Sequence, residues 1–266
     1  MNRISRINIV AYVFKQQQPK TTRRNMAWFK ELVKQFKNSD SPQLYDPKNQ
    51  IMYQVLLRKH MDEACRVNAE AMVHNPILKL CKMSAKEYFV DSRVICQFSV
   101  DSGLGCIAKD DHDQIVGVCM AYPLDAVYQA HHQVSNVHCS HEINSLWDAM
   151  LHLLMTIPWH QYGDPSRILY VDDISVLKSA SGRGIGYVAV EVSMVLAQRK
   201  GFTHMVGLSF NDVAADDATA SGGLNVIRTM DISEITEDGH KIFQHFVNKG
   251  THYLRLHVIR LNPSKL

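Results

Sequence analysis

The 266-residue sequence has no apolar run long enough to cross a bilayer. Its longest apolar stretches, Ile7 to Phe14 and Met150 to Pro158, are interrupted by polar residues and fall well below the ~18 residues that a membrane helix needs. The 13 glycines and 8 prolines show no G-X-Y period, which excludes a collagen-like chain. We therefore expect no membrane span, and the content of 46% hydrophobic and 21% charged residues is typical of a globular protein with a sizeable core.

Paired-cysteine motifs are also absent. The six cysteines are scattered without a C-x-x-C pair, which favours reduced, buried thiols and a cytoplasmic protein over a disulfide framework. The net charge of +3 is too small to indicate nucleic-acid binding, and the basic clusters beyond the N-terminal helix lack interleaved aromatic residues. We expect no nucleic-acid partner, while a small anionic ligand is compatible with this charge.

The common hydrolase and metalloprotease motifs are missing as well. The 14 histidines occur outside any G-x-S-x-G or H-E-x-x-H context, and no catalytic Ser-His-Asp or Cys-His pattern is present. One dense group has no zinc-finger or zinc-ribbon spacing and is interpreted as a polar loop: His131, His132, His138, Cys139 and His141. We therefore predict no metal site.

The first 49 residues differ from the rest. Several basic residues precede the first acidic residue, Glu31, and an Arg-rich, acid-free start also resembles a mitochondrial presequence. Apolar residues from Asn25 to Asn38 share one helical stripe, which predicts an amphipathic helix docked on the domain. With two prolines, Ser39 to Asn49 is predicted to be a linker. The sequence thus predicts a basic N-terminal extension, residues 1–49, before a single domain, residues 50–266.

Beyond residue 50 the pattern alternates between strands and helices. Strands are predicted at Gln50–Leu57, Leu104–Lys109, Gln114–Tyr122, Ile168–Leu177, His204–Phe210, Val226–Ile232 and Tyr253–Leu261. Helices are predicted at His60–His74, Glu142–Thr156, Gly186–Lys200 and Asp212–Ser221. This order indicates a mixed α/β fold with a hairpin in front of a central strand–helix–strand unit.

The most informative segment follows the strand that ends near Val176. A loop of small residues leads into a helix at about Gly186, an arrangement that exposes backbone amides at a helix N-terminus and suits a phosphate. The glycines let a ligand approach the backbone without interference from a Cβ atom. Tyr187 replaces the third glycine of G-x-G-x-x-G, and no G-K-[ST] follows, so the Rossmann and P-loop interpretations are disfavoured.

The run Ser181-Gly182-Arg183-Gly184-Ile185-Gly186 resembles the acetyl-CoA loop of the GCN5-related N-acetyltransferase superfamily, R/Q-x-x-G-x-G/A. Ser181 departs from the usual Arg or Gln, and Arg183 is a candidate for the missing charge. Ile115 to Val118 resembles the family's central hairpin strand, and His204 to Asn211 resembles its next strand and terminal Asn. The resemblance implies an α/β (α+β) fold with a mixed central sheet, splayed middle strands and flanking helices.

Within that superfamily the chain resembles arylalkylamine, or dopamine-type, N-acetyltransferases of insects and their nematode relatives. Asp125 to Pro165 fits the place of their helical insertion, and His74 to Leu78, leading into Ser84 to Phe89, resembles their E-P-L-like segment. The resemblance implies transfer of acetyl from acetyl-CoA, a co-substrate, to a small primary amine such as an arylalkylamine or a polyamine. A monomer and a homodimer are both left open.

The resemblance also implies the site residues. In the family, the splayed strand exposes backbone groups that grip pantetheine and polarise the thioester. The matching and loop positions, predicted to bind the coenzyme, are Ile174, Ser175, Val176, Ser181, Gly182, Arg183, Gly184, Ile185, Gly186, Tyr187 and Asn211.

Asp172 is the candidate general base, because it stands where family members place a catalytic His or acid. Strand alternation predicts Tyr170, Asp172 and Ile174 on one face and Asp173 on the other. A carboxyl with the reference pKa of ~3.9 is a poor base for an ammonium, so Asp172 would need burial or a water relay. The alternative is that the two aspartates form a solvated pair at a strand edge.

Two departures bear on catalysis. Asn75 replaces the catalytic Glu of the insect enzymes, and Ala218 replaces the tyrosine that often protonates the thiolate. Thr219, Ser221 or water are the candidate replacements. The alternative function is therefore a CoA-binding module with weak or no catalysis that acts as a sensor or interaction partner.

Overall fold

A computed structural model describes residues 26–75, 83–135, 141–209, 225–237, 240–241, 243 and 253–261. Its helices are α1 (Met26–Lys37), α2 (Met61–Met72), α3 (Ala85–Ser102), α4 (Val127–Ser135), α5 (His141–Met155) and α6 (Ile185–Arg199). Its strands are β1 (Gln43–Asp46), β2 (Ile51–Val55), β3 (Cys106–Lys109), β4 (Ile115–Pro123), β5 (Ile168–Val176), β6 (His204–Ser209), β7 (Asn225–Asp231), β8 (Thr236–Glu237), β9 (His240–Lys241) and β10 (Tyr253–Arg260).

Eight strands form one sheet in the order β1-β2-β3-β4-β5-β6-β10-β7. The pairs are antiparallel except for β5 and β6, which run parallel and are joined through α6. Strands β8 and β9 form a separate antiparallel ribbon. The predicted mixed α/β fold, with a hairpin (β3–β4) before a central strand–helix–strand unit, is confirmed.

Strands β5 and β6 diverge in the middle of the sheet. They pair only over Ile168–Tyr170 and residues 204–206. Beyond Tyr170, β5 continues along β4 to Val176, and β6 continues along β10 to Ser209. The sheet is therefore splayed between its two central strands, as the resemblance implied.

The sheet separates two apolar cores. Helices α2, α3, α4 and α5 cover one face, which we call the α2/α3 face, and α1 and α6 cover the other, the α1/α6 face. Leu56, Ile95 and Met150 are buried on the first face. On the second, Phe36 and Val188 are buried. Because both faces are covered, the central strands are apolar on both sides, as sheets with helices on two faces require.

The N-terminal segment packs on this sheet. The predicted amphipathic helix is α1, and its stripe is buried on the α1/α6 face through Phe29, Leu32, Val33 and Phe36. The stretch predicted to be a linker instead contains strand β1, which pairs with β2 from Gln43–Gln54 to Asp46–Ile51. Its prolines lie just outside the strand, and β1 is at the sheet edge, where such residues are tolerated.

Helices α3 and α4 have no counterpart in the predicted elements. The buried face of α3 includes Asp91, Ser92 and Ser99, so its apolar period is too weak to indicate a helix. Its start is well marked, because Ser84 and Glu87 form a capping box. Its end is marked by Gly103 in the left-handed conformation, with φ of +61°.

The described cysteines, Cys65, Cys96, Cys106 and Cys119, are buried and unbridged, as expected for reduced thiols. None of the helices in the described ranges is both long and apolar enough to cross a membrane.

Candidate active site

The glycine loop joins the end of β5 to the start of α6. A 3-10 turn, Lys178–Ala180, is closed by Ser181, whose amide and hydroxyl donate to the Lys178 carbonyl at 3.3 and 2.9 Å. Gly182 and Gly184 then adopt φ of +78° and +75°, a region that side-chain-bearing residues rarely populate. Gly184 is the N-cap of α6, so the two glycines turn the chain into the helix.

The amides of this loop are left without acceptors. Among the described residues, no hydrogen bond uses the N–H groups of Gly182 to Gly186. The first backbone bond of the helix runs from the Val188 amide to the Gly184 carbonyl, at 3.2 Å. Five successive donors at the positive end of a 15-residue helix form the kind of site that binds a phosphate.

Strand β4 has a glycine, Gly117, where the start of α6 packs on the sheet. A Cβ atom on Gly117 would lie 2.9 Å from Cγ2 of Ile185. Ile185 and Gly186 are both buried, so any side chain at position 117 would push the N-terminus of the helix outward. The I-V-G segment noted in the sequence therefore sets the height of the loop above the sheet.

Residues Ile174, Ser175 and Val176 lie on the splayed part of β5. They pair with β4 on one side, opposite Cys119, Val118 and Gly117, and have no β6 partner on the other. All three side chains are buried. One edge of their backbone therefore faces the opening between β5 and β6.

A β-bulge in β5 brings Asp172 and Asp173 to the same face of the sheet. Met120 pairs with Asp173 and Ala121 with Val171, so Asp172 is the extra residue of β5. Both aspartates consequently contact groups of the α2/α3 face. The predicted grouping of Tyr170, Asp172 and Ile174 on one face, with Asp173 opposite, is therefore wrong: Asp173 joins Tyr170 and Asp172, and Ile174 faces the α1/α6 side.

Asp172 is buried and receives a short hydrogen bond from Tyr122. The Tyr122 hydroxyl lies 2.5 Å from Oδ2 of Asp172, which is 1% exposed. Burial, followed by the nearby Asp172 charge, holds the pKa of Tyr122 well above its usual range, so the phenol stays protonated and donates. The alternative of a solvated aspartate pair is excluded by this burial.

Asp173 belongs to a closed network of polar side chains. Its carboxylate accepts hydrogen bonds from the Tyr88 hydroxyl at 2.9 and 3.0 Å and from Nδ2 of Asn68 at 2.6 Å. Asn68 also contacts Ser92 at 2.9 Å and accepts from the Ser175 hydroxyl at 2.5 Å. This network ties α2, α3 and the splayed end of β5 together inside the core.

Aromatic rings surround the Asp172 side of this network. The Tyr122 ring lies 5.6 Å from that of Tyr170 and 5.8 Å from that of Phe98. Trp147 is buried in the core of the same face, and Tyr128 is exposed. The carboxylate is therefore flanked by aromatic surface on the α2/α3 face.

Sequence reasoning missed Asn68, Tyr88 and Ser92. Asn68 is a polar residue on an otherwise apolar face of α2. Tyr88 and Ser92 are spaced at i and i+4 on α3, which places both on one face of that helix. Such a pattern shows that a polar group is buried, because its neighbours are apolar. It does not show which carboxylate the group contacts, since that depends on how the helices pack on β5.

Several other sequence-based site residues lie outside the described residues: Asn211, Ala218, Thr219 and Ser221. Asn75 is described and buried at the end of the α2 segment, where its amide donates to the Met72 carbonyl at 2.9 Å. One guanidinium nitrogen of Arg183 donates to the Asn49 carbonyl. Within the described ranges, no three His, Cys, Asp or Glu side chains are grouped in a way that could hold a metal ion.

A second pair of polar residues lies on β6 and β10, on the other side of the opening between β5 and β6. The Ser209 hydroxyl is 2.7 Å from Nε2 of His257, and both are buried. Alternation with Leu208 and Leu256, which face the α2/α3 core, places this pair on the α1/α6 face. Burial, assisted by the charge of Arg255, lowers the pKa of His257 to about 4, so this imidazole is neutral near pH 7.

Comparison with solved structures finds chains with the same architecture, several of which are N-acetyltransferases. Arylalkylamine N-acetyltransferase 2 from Aedes aegypti matches with a TM-score of 0.66 at 14% identity, over 80% of this chain and 99% of that one. The C-terminal condensation domain of Ebony matches with a TM-score of 0.65 at 13% identity, over 79% and 98% of the two chains. Drosophila melanogaster polyamine N-acetyltransferase matches with a TM-score of 0.58 at 14% identity, over 79% of this chain and 100% of that one.

No protein-family model and no curated protein sequence matches the chain. With the splayed strands, the glycine loop and these structural similarities together, the protein has the fold of the GCN5-related N-acetyltransferases and resembles the arylalkylamine N-acetyltransferases of insects. At such low identity the likeness concerns the fold alone.

Proposed function

We propose that this protein transfers an acetyl group from acetyl-CoA to a small primary amine, by direct attack of the amine within a ternary complex. The observation that carries the proposal is the position of the unpartnered loop amides, Gly182 to Gly186, beside the opening between β5 and β6. An anion-binding loop and an unpaired strand edge are what a pyrophosphate with an attached pantetheine arm requires.

The coenzyme-binding roles divide between two stretches of backbone. The amides from Gly182 through Tyr187, at the N-terminus of α6, hold the pyrophosphate, and the Ser181 hydroxyl fixes the preceding turn. The unpaired edge of Ile174 to Val176 receives the pantetheine arm and polarises the thioester carbonyl. Asn211, beyond the described residues, keeps its role as a predicted coenzyme contact.

Asp172 is the proposed general base on the acceptor side. The neutral amine attacks the thioester carbonyl carbon, a C–N bond forms, the C–S bond breaks, and the amine proton passes to the Asp172 carboxylate, directly or through water. Tyr122 donates to this carboxylate at 2.5 Å and orients it. The departing thiolate then takes a proton from Thr219, Ser221 or water.

The acceptor class is proposed to be arylalkylamine or polyamine-like. The rings of Phe98, Tyr122 and Tyr170 provide aromatic surface next to Asp172, and two carboxylates on the same face suit an amine. Structurally similar proteins carry the names arylalkylamine, polyamine and agmatine N-acetyltransferase, which supports the same range of acceptors.

A second candidate is a CoA-binding module with weak or no catalysis, acting as a sensor or interaction partner. It is favoured by Asn75, a buried carboxamide where the resembling enzymes carry a catalytic glutamate. An amide cannot accept a proton at neutral pH, so this position supplies no base.

Two measurements on the wild-type protein separate the candidates. Calorimetry with CoA and acetyl-CoA tests binding, and release of free thiol from acetyl-CoA tests turnover against a panel of aromatic monoamines, polyamines and agmatine. Binding with turnover of at least one amine supports the transferase. Binding without turnover across the panel favours the second candidate, and absence of binding contradicts both.

A further inference from the structure

Two elements that precede residue 50 contact the coenzyme loop. The first is α1, which places Phe29 against Gly184. A Cβ atom on Gly184 would lie 2.3 Å from Cζ of Phe29, so the ring fills the space where a side chain would be. The same ring lies 5.8 Å from that of Tyr187 and is almost fully buried.

The second element is the turn between β1 and β2, which holds the loop through Asn49. The Asn49 Nδ2 donates to the Arg183 carbonyl at 3.1 Å, and the Arg183 guanidinium donates back to the Asn49 carbonyl. Asn49 is itself fixed by the buried Asp46, whose carboxylate accepts from its amide at 2.9 Å and from its Nδ2 at 2.8 Å. The loop residue 183 is therefore tied to a rigid turn.

Helix α1 is also anchored at its other end, far from the loop. The guanidinium of Arg199, at the end of α6, donates to the carbonyls of Phe36 at 2.7 Å and Ser39 at 2.5 Å. It also lies 4.5 Å from the centre of the Phe36 ring. Helices α1 and α6 therefore run side by side in the same direction, and Phe29 is held at the loop by contacts that do not involve the loop.

We infer that Phe29 and Asn49 are positioning residues for the CoA loop. The inference rests on the proposed function. A loop with two glycines at positive φ has many alternative conformations when free, and fixing it costs conformational entropy. Phe29 and Asn49 hold the loop in its bound-like shape before the coenzyme arrives, which strengthens binding without a new contact to it.

The test compares Phe29→Ala with Phe36→Ala. Both residues are buried phenylalanines of α1, but only Phe29 contacts the loop. We expect Phe29→Ala to weaken CoA binding and raise the KM for acetyl-CoA about tenfold, with kcat and the KM for the amine little changed. Phe36→Ala keeps the Phe36 and Ser39 carbonyls that accept from Arg199, so it should lower the Tm by a similar amount and leave CoA affinity within about twofold.

Asn49→Ala provides a second variant that removes no core volume, and it should weaken CoA binding in the same direction. Hydrogen exchange of the Val188 amide, which donates to Gly184, is measured without any ligand and should be about tenfold faster in Phe29→Ala and Asn49→Ala than in Phe36→Ala. The exchange rate tests the positioning role even if the wild-type protein does not bind CoA. Absence of CoA binding would contradict only the proposed function.

Equal exchange rates and equal CoA affinities in Phe29→Ala and Phe36→Ala would overturn the inference. Tighter CoA binding in Phe29→Ala would also overturn it, because α1 would then obstruct the site.

Discussion

The two faces of β5 beyond Tyr170 differ in how they are held. On the α2/α3 face, Asp172, Asp173 and Ser175 are fixed by side-chain hydrogen bonds to Tyr122, Tyr88 and Asn68. On the α1/α6 face, apolar side chains pack against α6, and the polar groups available at the loop are backbone amides.

The difference follows from what each face has to do. A buried carboxylate must have donors around it, since an unsatisfied one costs several kcal/mol, and those donors also set its direction. The loop amides lie at a helix N-terminus, where the first N–H groups have no partner within the helix, and Gly182 is exposed to solvent. One strand thus carries two carboxylates on one face and leads into the loop of bare amides that is proposed to bind the coenzyme, and the bulge at Asp172 is what brings the two carboxylates to the same side.

The largest effect is expected from Gly184→Val, which disrupts the coenzyme loop on the α1/α6 face. Valine at φ of +75° is strained, and its Cβ would collide with Phe29. We expect at least a roughly hundredfold loss of CoA affinity by calorimetry, about 3 kcal/mol of binding free energy. Gly201→Val is the control, because Gly201 has φ of +78° just beyond the other end of α6; it should lose stability but retain CoA affinity. Unchanged affinity in Gly184→Val would remove the loop from the coenzyme site.

Asn68→Leu disrupts the hydrogen-bond network on the α2/α3 face. It leaves the Asp173 carboxylate, Ser92 and Ser175 without the carboxamide that joins them, so we expect the free energy of unfolding to fall by about 3 kcal/mol in urea titrations. Ser99→Ala is the control, since the Ser99 hydroxyl donates to the Ile95 carbonyl of its own helix at 3.1 Å, and it should cost under about 1 kcal/mol. Similar losses in both variants would contradict a special role for the network.

Asp172→Asn tests the chemistry proposed for the polar face. We expect kcat to fall about a hundredfold, with loss of the acidic limb of the pH–rate profile, because an amide cannot take the amine proton. Tyr122→Phe keeps the carboxylate but removes its short hydrogen bond, so it should move that limb to higher pH without abolishing it. A pH–rate profile that Asp172→Asn leaves unaltered would show that another group is the base.

The smallest effect is the pH dependence of stability that we expect from His257, on β10. Its pKa is lowered to about 4 in the fold from a reference near 6.5, so the unfolded chain binds more protons between these values. Stability should therefore be complete above pH ~6.5 and fall by about 2 kcal/mol between pH 7 and pH 5.

Urea unfolding of wild type and His257→Gln at the two pH values isolates this contribution. The variant should lose about 2 kcal/mol less than the wild type over that interval. An equal loss in both proteins would show that His257 does not carry it.

Much of the fold was accessible from local pattern. The strand bounds of β4, β5 and β6, the helix α6 and the amphipathic α1 agree with the predictions because periodicity and glycine placement are strong there. Helix α3 was missed because Asp91, Ser92 and Ser99 occupy its buried face. Strand β1 was mistaken for a linker because its flanking prolines are equally typical of a loop.

The candidate site divides in the same way. The sequence by itself determined the glycine loop, since the residues that can adopt positive φ and leave amides bare form one contiguous motif. It also indicated Asp172 as the candidate base. Only the tertiary structure decided that Asp173 shares its face, that Asn68 and Tyr88 bind Asp173, and that Phe29 and Asn49 hold the loop. A bulge shifts strand alternation by one residue, and contacts between segments distant in the chain arise only when helices pack on the sheet.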